Sequence, residues 1–390
     1  MVVIKSVNVK SINDSRKEKT ILVKIKTDFG IFSASAPTGK STGKNEIKPY
    51  KKSLEQDIKS LTALSDYFSE EILEKFEDLR RIEDITDGSI GGNTLFALES
   101  AVLKALAKEH KKEIWELIDS SKSSSKMPRL VANVIGGGAH SKSLKSVAGK
   151  PDFQEFEIIP QEKTVKESYE KIKSVKKSLA LDLKKEDKKF TEKKNDENAW
   201  MTSLTDKRVL EILNKTGMDI GVDIAASSFY KRKKYSYNNP LLKRTVDEQK
   251  SYLINLIKNF KLFYVEDPFQ EEDFKSFAEL LEKFPNSLIV GDDLTTTNLK
   301  RLQKAIKEKS INAIIIKPNQ IGSLLEVKEV VELAKKHKIK TVFSHRSGET
   351  DETILADLAF GFRADFFKCG SEGDVRVKKI KRLIEIEKNL

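Results

Sequence analysis

The chain has 390 residues, 38% of them apolar and 34% charged, with a formal net charge of +12. That length exceeds one small core and suits two domains, or one large barrel with an attachment. No apolar run approaches the roughly 18 residues of a membrane span, the opening MVVIKSVNVKS lacks the apolar centre of a secretion signal, and a lone cysteine, Cys369, allows no intrachain disulfide, so a cytoplasmic protein without membrane partners is expected.

Strand-like runs come first: VVIKSVNV, TILVKIKT and GIFSASA. Within the stretch that follows, Ala34 to Ser41 reads A-x-x-x-x-G-K-S, a relaxed phosphate-loop pattern. Its first position is Ala, and Pro37 and Gly43 interrupt the helix that such a loop should open. The chain then turns helical, and NTLFALESAVLKALAKEHKK carries an apolar face at helical spacing with Asn93 as its expected N-cap. Strands followed by helices predict an α+β domain over 1–127. The polar stretch DSSKSSSKMP marks its end.

From residue 128 to 390 strands alternate with helices. Eight short β-branched runs (LVANVIGG, QEFEIIP, DIGVDIAAS, KLFYVEDPF, SLIVGDDL, NAIIIKPN, KTVFSHRSG and DFFKCG) are buried in pattern, and most of the later ones are separated by amphipathic stretches such as DFKSFAELLEKF. This predicts a parallel sheet, closed as a (β/α)8-type barrel. The densest basic runs, KKEDKKFTEKK and YKRKKYSY, carry no aromatic-interleaved stripe, so no nucleic-acid partner is expected.

The informative feature is what ends the strands. Asp223, Glu266, Asp292, Lys317, His345 and Lys368 close six of them, at spacings of 43, 26, 25, 28 and 23 residues. One ionisable strand end is ordinary, but in a barrel the C-terminal strand ends converge on one face, where such barrels do chemistry. With one Cys and four His, a zinc site of the usual spacing is excluded. Three carboxylates from successive strands suit Mg²⁺. A lysine opposite them, its pKa lowered, is a candidate general base. Arg346 and Ser347, following His345, suit a phosphate or carboxylate. The residues alone therefore suggest metal-assisted proton abstraction beside the carboxylate of a small anionic substrate.

The runs VEDPFQEEDF, GDDLTTTN, KPNQIGSLLE and SHRSGETDETILADLAFG resemble consecutive signatures of the enolase family, in order and spacing. GVDIAASSFY, GGNTLFALESAVLKALA and APTGKSTGKNE are similar to further blocks of that family. The resemblance implies a C-terminal α/β enolase barrel under an N-terminal α+β capping domain. It implies phosphopyruvate hydratase activity: reversible dehydration of 2-phosphoglycerate to phosphoenolpyruvate in glycolysis and gluconeogenesis. A homodimer or higher homo-oligomer is implied too.

By the same resemblance, Asp223, Glu266 and Asp292 bind the tighter of two Mg²⁺ ions. Lys317 removes the C2 proton and Lys368 adds positive charge beside the substrate carboxylate. Arg346 and Ser347 contact the phosphate, and His345 borders the substrate. Glu197, in NDENAW, is the acid assisting loss of the C3 hydroxyl. Gln154 and Glu155 set the charge of the site and touch the substrate, and His140 closes over the phosphate. Ser41 belongs to a lid that helps hold the second Mg²⁺, with Gly39 and Gly43 as hinges, and the phosphate-loop pattern is then accidental.

Rival readings have their own signatures. A divergent superfamily member acting on another hydroxy acid would follow from altered loops around His140 and Glu197, and a non-catalytic binding protein would have lost some of these side chains. A nucleotide hydrolase would need Ala34–Ser41 to be a true phosphate loop.

Overall fold

The structure, a computed structural model, describes residues 1–40, 43–119, 126–141 and 149–390, of His140 the backbone only. Strands β1 (Ser6–Asn13), β2 (Lys19–Thr27) and β3 (Gly30–Ser35) form an antiparallel sheet in sequence order. Ile21, Val23 and Ile25 alternate along β2 onto its buried face. Helices α1 (Leu54–Ala63), α2 (Leu79–Thr86), α3 (Gly92–His110) and α4 (Ile114–Ile118) follow, and α3 packs across β2 and β3. The N-cap of α3 is Gly91, two residues earlier than the sequence suggests. Asn93 is drawn elsewhere: its amide donates to the Pro37 carbonyl at 3.2 Å and its oxygen accepts from Asn319 at 2.9 Å.

The second part runs β4 (Arg129–Gly136), β5 (Glu155–Ile159), α5 (Val165–Glu186), β6 (Trp200–Met201), α6 (Asp206–Asn214) and β7 (Asp219–Asp223). A small antiparallel sheet comes next, β8 (Tyr230–Lys231), β9 (Lys234–Asn238) and β10 (Leu241–Arg244), before α7 (Val246–Phe260). Regular alternation completes the chain: β11 (Tyr264–Glu266), α8 (Phe274–Lys283), β12 (Leu288–Gly291), α9 (Leu299–Glu308), β13 (Ala313–Ile316), α10 (Leu324–Lys336), β14 (Lys340–Ser344), α11 (Ile354–Gly361), β15 (Phe366–Lys368) and α12 (Asp374–Lys388). Helix starts are written locally. Thr164 with Glu167 and Thr245 with Glu248 form reciprocal caps on α5 and α7.

Eight strands close a ring in the order β4-β5-β7-β11-β12-β13-β14-β15, with β15 pairing back to β4 and β6 attached beside β4. The eight expected runs are these eight strands. One direction differs from expectation: β5 is antiparallel to both β4 and β7, so the ring is not all-parallel. Among the described residues only a single 3-10 turn lies between β4 and β5, so the chain doubles back there, whereas a parallel return needs a longer crossover, usually helical.

Side-chain alternation then stacks the interior. Val131, Ile159, Tyr264, Leu288, Val290, Ala313, Ile315, Val342 and Phe366 form an apolar cluster inside the ring. Two residues further along the same strands stand Glu266, Asp292, Lys317, Ser344 and Lys368, on the same face because the side-chain period of a strand is 2. Reversal of β5 gives it the matching gradient, with Ile159 in the floor and Glu157 and Glu155 toward the mouth. The N-terminal sheet is tied to this mouth by paired backbone bonds between Thr38 and Gly348, at 2.7 and 2.9 Å.

Candidate active site

A small cavity opens at the barrel mouth, lined by Gly39, Lys40, Gln154, Glu155, Glu197, Asp223, Lys317 and Lys368, with Ser344 to Ser347 completing the wall. Nine residues singled out from the sequence meet there: Gln154, Glu155, Glu197, Asp223, Lys317, His345, Arg346, Ser347 and Lys368. Glu266 and Asp292 lie beneath, each reached through a lysine. Ser41 and the side chain of His140 lie outside the described residues.

Lys368 is the hub. Its Nζ lies 2.8 Å from Glu266, 2.9 Å from Glu157, 3.3 Å from Glu155 and 3.5 Å from Asp223. Strand register makes this possible, since Glu155 and Glu266 both pair level with Asp223. Burial alone would strip the ammonium of its proton, but the surrounding carboxylates reverse that and raise its pKa well above the usual value. The acids are pushed up in turn: Glu266 by burial and then by Asp223, Glu155 by burial and then by Glu197. Glu157 sits where a Cβ on Gly221 would come within 2.7 Å of its carboxylate, so the facing strand must carry glycine at that position.

Lys317 contacts Asp292 directly. Burial, the largest influence, lowers its pKa, as a base requires, but the charge and hydrogen bond of Asp292 together with the charge of Glu266 outweigh it and the lysine is held above its ordinary value. Asp292 is correspondingly lowered: burial would raise it, and Lys317, with Lys368 and Arg346, more than compensates. The lowered lysine pKa expected from the sequence is thus absent while Asp292 is its partner. Asp267 orients this corner, accepting backbone N–H groups of Asp292 at 3.0 Å and Asp293 at 2.7 Å. Asp267, Asp292 and Asp293 also bring one carboxylate oxygen each within 4.8 Å of one another.

These donors fit a hard divalent cation. Asp223, Glu266 and Asp292 are all buried oxygen donors, and burial with the neighbouring Asp223 charge pushes the Glu266 carboxyl up, a cost that a bound cation would relieve. Lys317 and Lys368 are the cations that face them.

Glu197 and His345 also line the cavity. Glu197 Oε2 accepts from Asn133 Nδ2 at 3.1 Å and lies 3.9 Å from His345 Nε2. Asn195 holds the loop, its Oδ1 accepting the backbone N–H groups of Glu197 and Ala199 at 3.0 and 2.9 Å. His345 is kept neutral: burial dominates, and Arg376, Lys368 and Lys379 add to it against the pull of Glu197.

Arg346 is already engaged. Glu46, from the segment after β3, takes its Nη2 at 3.0 and 3.2 Å, and Asn319 takes Nη1 at 3.2 Å. Gly39 is required by this packing, because a Cβ there would lie 2.0 Å from Arg346 Nη2. Ser347 Oγ accepts from Arg16 at 3.2 Å. Lys40 contacts Asp196, next to Glu197, and so joins the β3 loop to the Glu197 loop.

Sequence reasoning missed Asn133, Asn195, Glu46, Arg16, Lys40 and Arg376. Asn133 had a signal, being the one polar residue within the apolar run LVANVIGG. Asn195 bonds within its own loop, and Glu46, Arg16, Lys40 and Arg376 had no signal, since the partners that place them at the site are distant in sequence.

Among the described residues no helix is long and apolar enough to cross a membrane. A family model described as "Enolase, C-terminal TIM barrel domain" matches residues 124–390. Curated relatives match along the whole chain. A protein named enolase from Methanosphaera stadtmanae is 37% identical over 100% of this chain and 97% of its own. Enolases of Picrophilus torridus, 35% identical over 99% of each chain, and of Natronomonas pharaonis, 33% identical over 100% of each, are similar to it as well. With the barrel, its mouth and these whole-length relatives in agreement, the chain belongs to the enolase family of lyases.

Proposed function

We propose that the protein is a phosphopyruvate hydratase, interconverting 2-phosphoglycerate and phosphoenolpyruvate. The observation that supports this reading best is that one small cavity is lined both by Lys317, at the end of β13, and by Glu197, held to β4 through Asn133, with other strands of the ring between them. Elimination of water from neighbouring carbons needs a base at one carbon and an acid at the other, and separate walls keep the two from neutralising each other.

Lys317 is the base at C2. With Asp292 engaged elsewhere, burial and the nearby Arg346 both favour the neutral amine. Asp223, Glu266 and Asp292 would hold Mg²⁺, which supplies positive charge to the substrate carboxylate when bound. Lys368 places a further fixed positive charge at the same end. Glu197 delivers the proton that leaves with the C3 hydroxyl, its carboxyl held by Asn133. Gln154 fixes Asp223, donating to its Oδ2 at 3.1 Å, and Glu155 tunes the charge around Lys368. Arg346 and Ser347 face the phosphate, with Arg16 holding the Ser347 oxygen. Ser41, His140 and a second Mg²⁺ complete this reading from the resemblance, as do a chain division at 1–127 and 128–390, a homo-oligomeric assembly and a cytoplasmic location.

The test is turnover of 2-phosphoglycerate with Mg²⁺, followed by the ultraviolet absorbance of the enol product. Metal-dependent product formation is expected, falling about 10²–10⁴-fold in Lys317→Ala while the variant still unfolds cooperatively, so that the loss is not one of folding. A flat trace from folded wild-type protein would overturn the reading and direct attention to other hydroxy acids.

A further inference from the structure

Arg376 lies on α12, outside the cavity wall, yet it is among the most deeply buried large side chains in the protein, 1% exposed. Its Nε donates to His345 Nδ1 at 3.1 Å. Its Nη2 donates to the Ser347 carbonyl at 2.8 Å and to the Arg346 carbonyl at 3.4 Å, so one guanidinium grips three consecutive residues of the cavity wall.

A guanidinium has only donors, and it keeps its protons at any pH a protein survives. The ring nitrogen facing it must therefore offer a lone pair. A hydrogen on Nδ1, whether in the other neutral tautomer or in the imidazolium, would set two N–H groups head to head in a dry interior. The charges around the ring agree. Arg376, Lys368 and Lys379 stand on the positive side and Glu197, 3.9 Å from Nε2, is the nearby carboxylate. Burial of the ring, 3% exposed, penalises the charged form further.

We propose that Arg376 is a positioning residue that fixes His345 as the neutral tautomer with its hydrogen on Nε2, so that the ring presents a hydrogen-bond donor to the Glu197 side of the cavity. This rests on reading the cavity as the reaction centre. His345 is then not a proton carrier. A neutral imidazole N–H is far too weak an acid to release its proton near neutral pH, so Glu197 carries that duty with its carboxyl held by Asn133 Nδ2–H, while His345 Nε2–H, 3.9 Å from that carboxyl, is left to receive the departing hydroxyl.

The nitrogen spectrum of the ring tests this without turnover. Wild-type protein labelled with ¹⁵N-histidine has four rings, and His345 is assigned by the signals lost in His345→Gln. A bare Nδ1 and a protonated Nε2, unchanged between pH 6 and 8, are expected. A hydrogen on Nδ1, or an imidazolium in that range, overturns the proposal even if the enzyme is fully active. Correct ring signals with no turnover of 2-phosphoglycerate would instead sink the proposed reaction and leave the tautomer standing.

Two variants separate orientation from support. Arg376→Lys keeps a cationic donor, and Arg376→Met removes it. The methionine variant, if folded, should show mixed tautomers and a kcat about 10–100-fold lower with little change in KM, the loss typical of removing a histidine's orienting partner. The lysine variant should restore the single tautomer. Folded Arg376→Met with an unaltered ring spectrum would also refute the assignment, and if it fails to fold, the wild-type spectrum decides alone.

Discussion

The floor and the mouth of the barrel are built on the same faces of the same strands, two residues apart. Ile315 precedes Lys317, Val290 precedes Asp292, Tyr264 precedes Glu266 and Phe366 precedes Lys368. In the floor each side chain is held by its neighbours' surfaces, and any apolar residue of similar volume would serve. In the mouth each is held by charge: remove one partner and the rest become unpaired in a site from which water is largely excluded. Stability and chemistry are thus stacked along one strand, and they should respond to different variables. Volume governs the floor, and protonation governs the mouth.

The largest effect should come from Lys368→Met, measured by denaturant unfolding with chelator present so that the lysines remain the cations in the cluster. Loss of the ammonium leaves Glu155, Glu157, Asp223 and Glu266 facing one another, and removal of one partner from a buried ion cluster costs about 3–5 kcal/mol. Since burial already raises Glu155, Glu157 and Glu266, these acids take up protons readily once the cation is gone. The deficit should therefore shrink from pH 8 to pH 6. A deficit independent of pH would mean that packing, not charge, holds the mouth together.

A buried acid away from the mouth sharpens the point. Asp206, at the start of α6, accepts from the Phe153 backbone N–H at 3.0 Å, and burial pushes its carboxyl up to about 7. Unfolded, it ionises near its ordinary value of 3.8, so between about pH 4 and about pH 7 the unfolded chain has lost a proton that the folded one keeps. Folding loses about 1.4 kcal/mol per pH unit through that window and levels off above it. Asp206→Asn should remove this slope and gain most relative to wild type above about pH 7, where the wild-type loss is complete. Parallel stability curves for the two proteins would show that Asp206 is ionised when folded.

In the floor, Ile315→Val deletes one buried methylene and should cost about 0.5–1.5 kcal/mol, equally at pH 6 and pH 8, with kcat unchanged. A pH-dependent cost there would break the separation of the two layers.

How much of this was legible in the sequence follows the same division. The eight barrel strands and their charged ends could be read, because a buried strand with a polar last residue is a local pattern. Reversal of β5 could not be read from its apolar run, which looks the same in either direction. Its sign lay in the connection from β4, where no helical pattern separates the two strands. The Arg346–Glu46 pair joins residues 300 positions apart, and the Arg376–His345 bond joins a terminal helix to a strand end, so neither leaves a local trace. Asn93 misled for the opposite reason. It sits at the right place for a cap, and the partner that claims it, Asn319, is 226 residues away.

The smallest effect belongs to the mouth's outer edge. Lys40 and Asp196 form an ion pair whose side chains are 21% and 32% exposed, so water competes for both. Exposed pairs of this kind contribute about 0–1 kcal/mol and weaken with salt. Lys40→Met should therefore leave the unfolding transition within about 1 kcal/mol of wild type, in contrast to Lys368→Met in the same cavity. Its effect should appear in binding. Lys40 lines the cavity, and its loss removes one positive charge from the approach of an anionic substrate. KM should rise a few-fold at low ionic strength and converge on the wild-type value as salt screens the remaining charges over about 8 Å at physiological strength. A KM deficit that persists at high salt would place Lys40 in direct, desolvated contact with the substrate, and the boundary between the buried and screened charges of the mouth would then lie further out than Lys368.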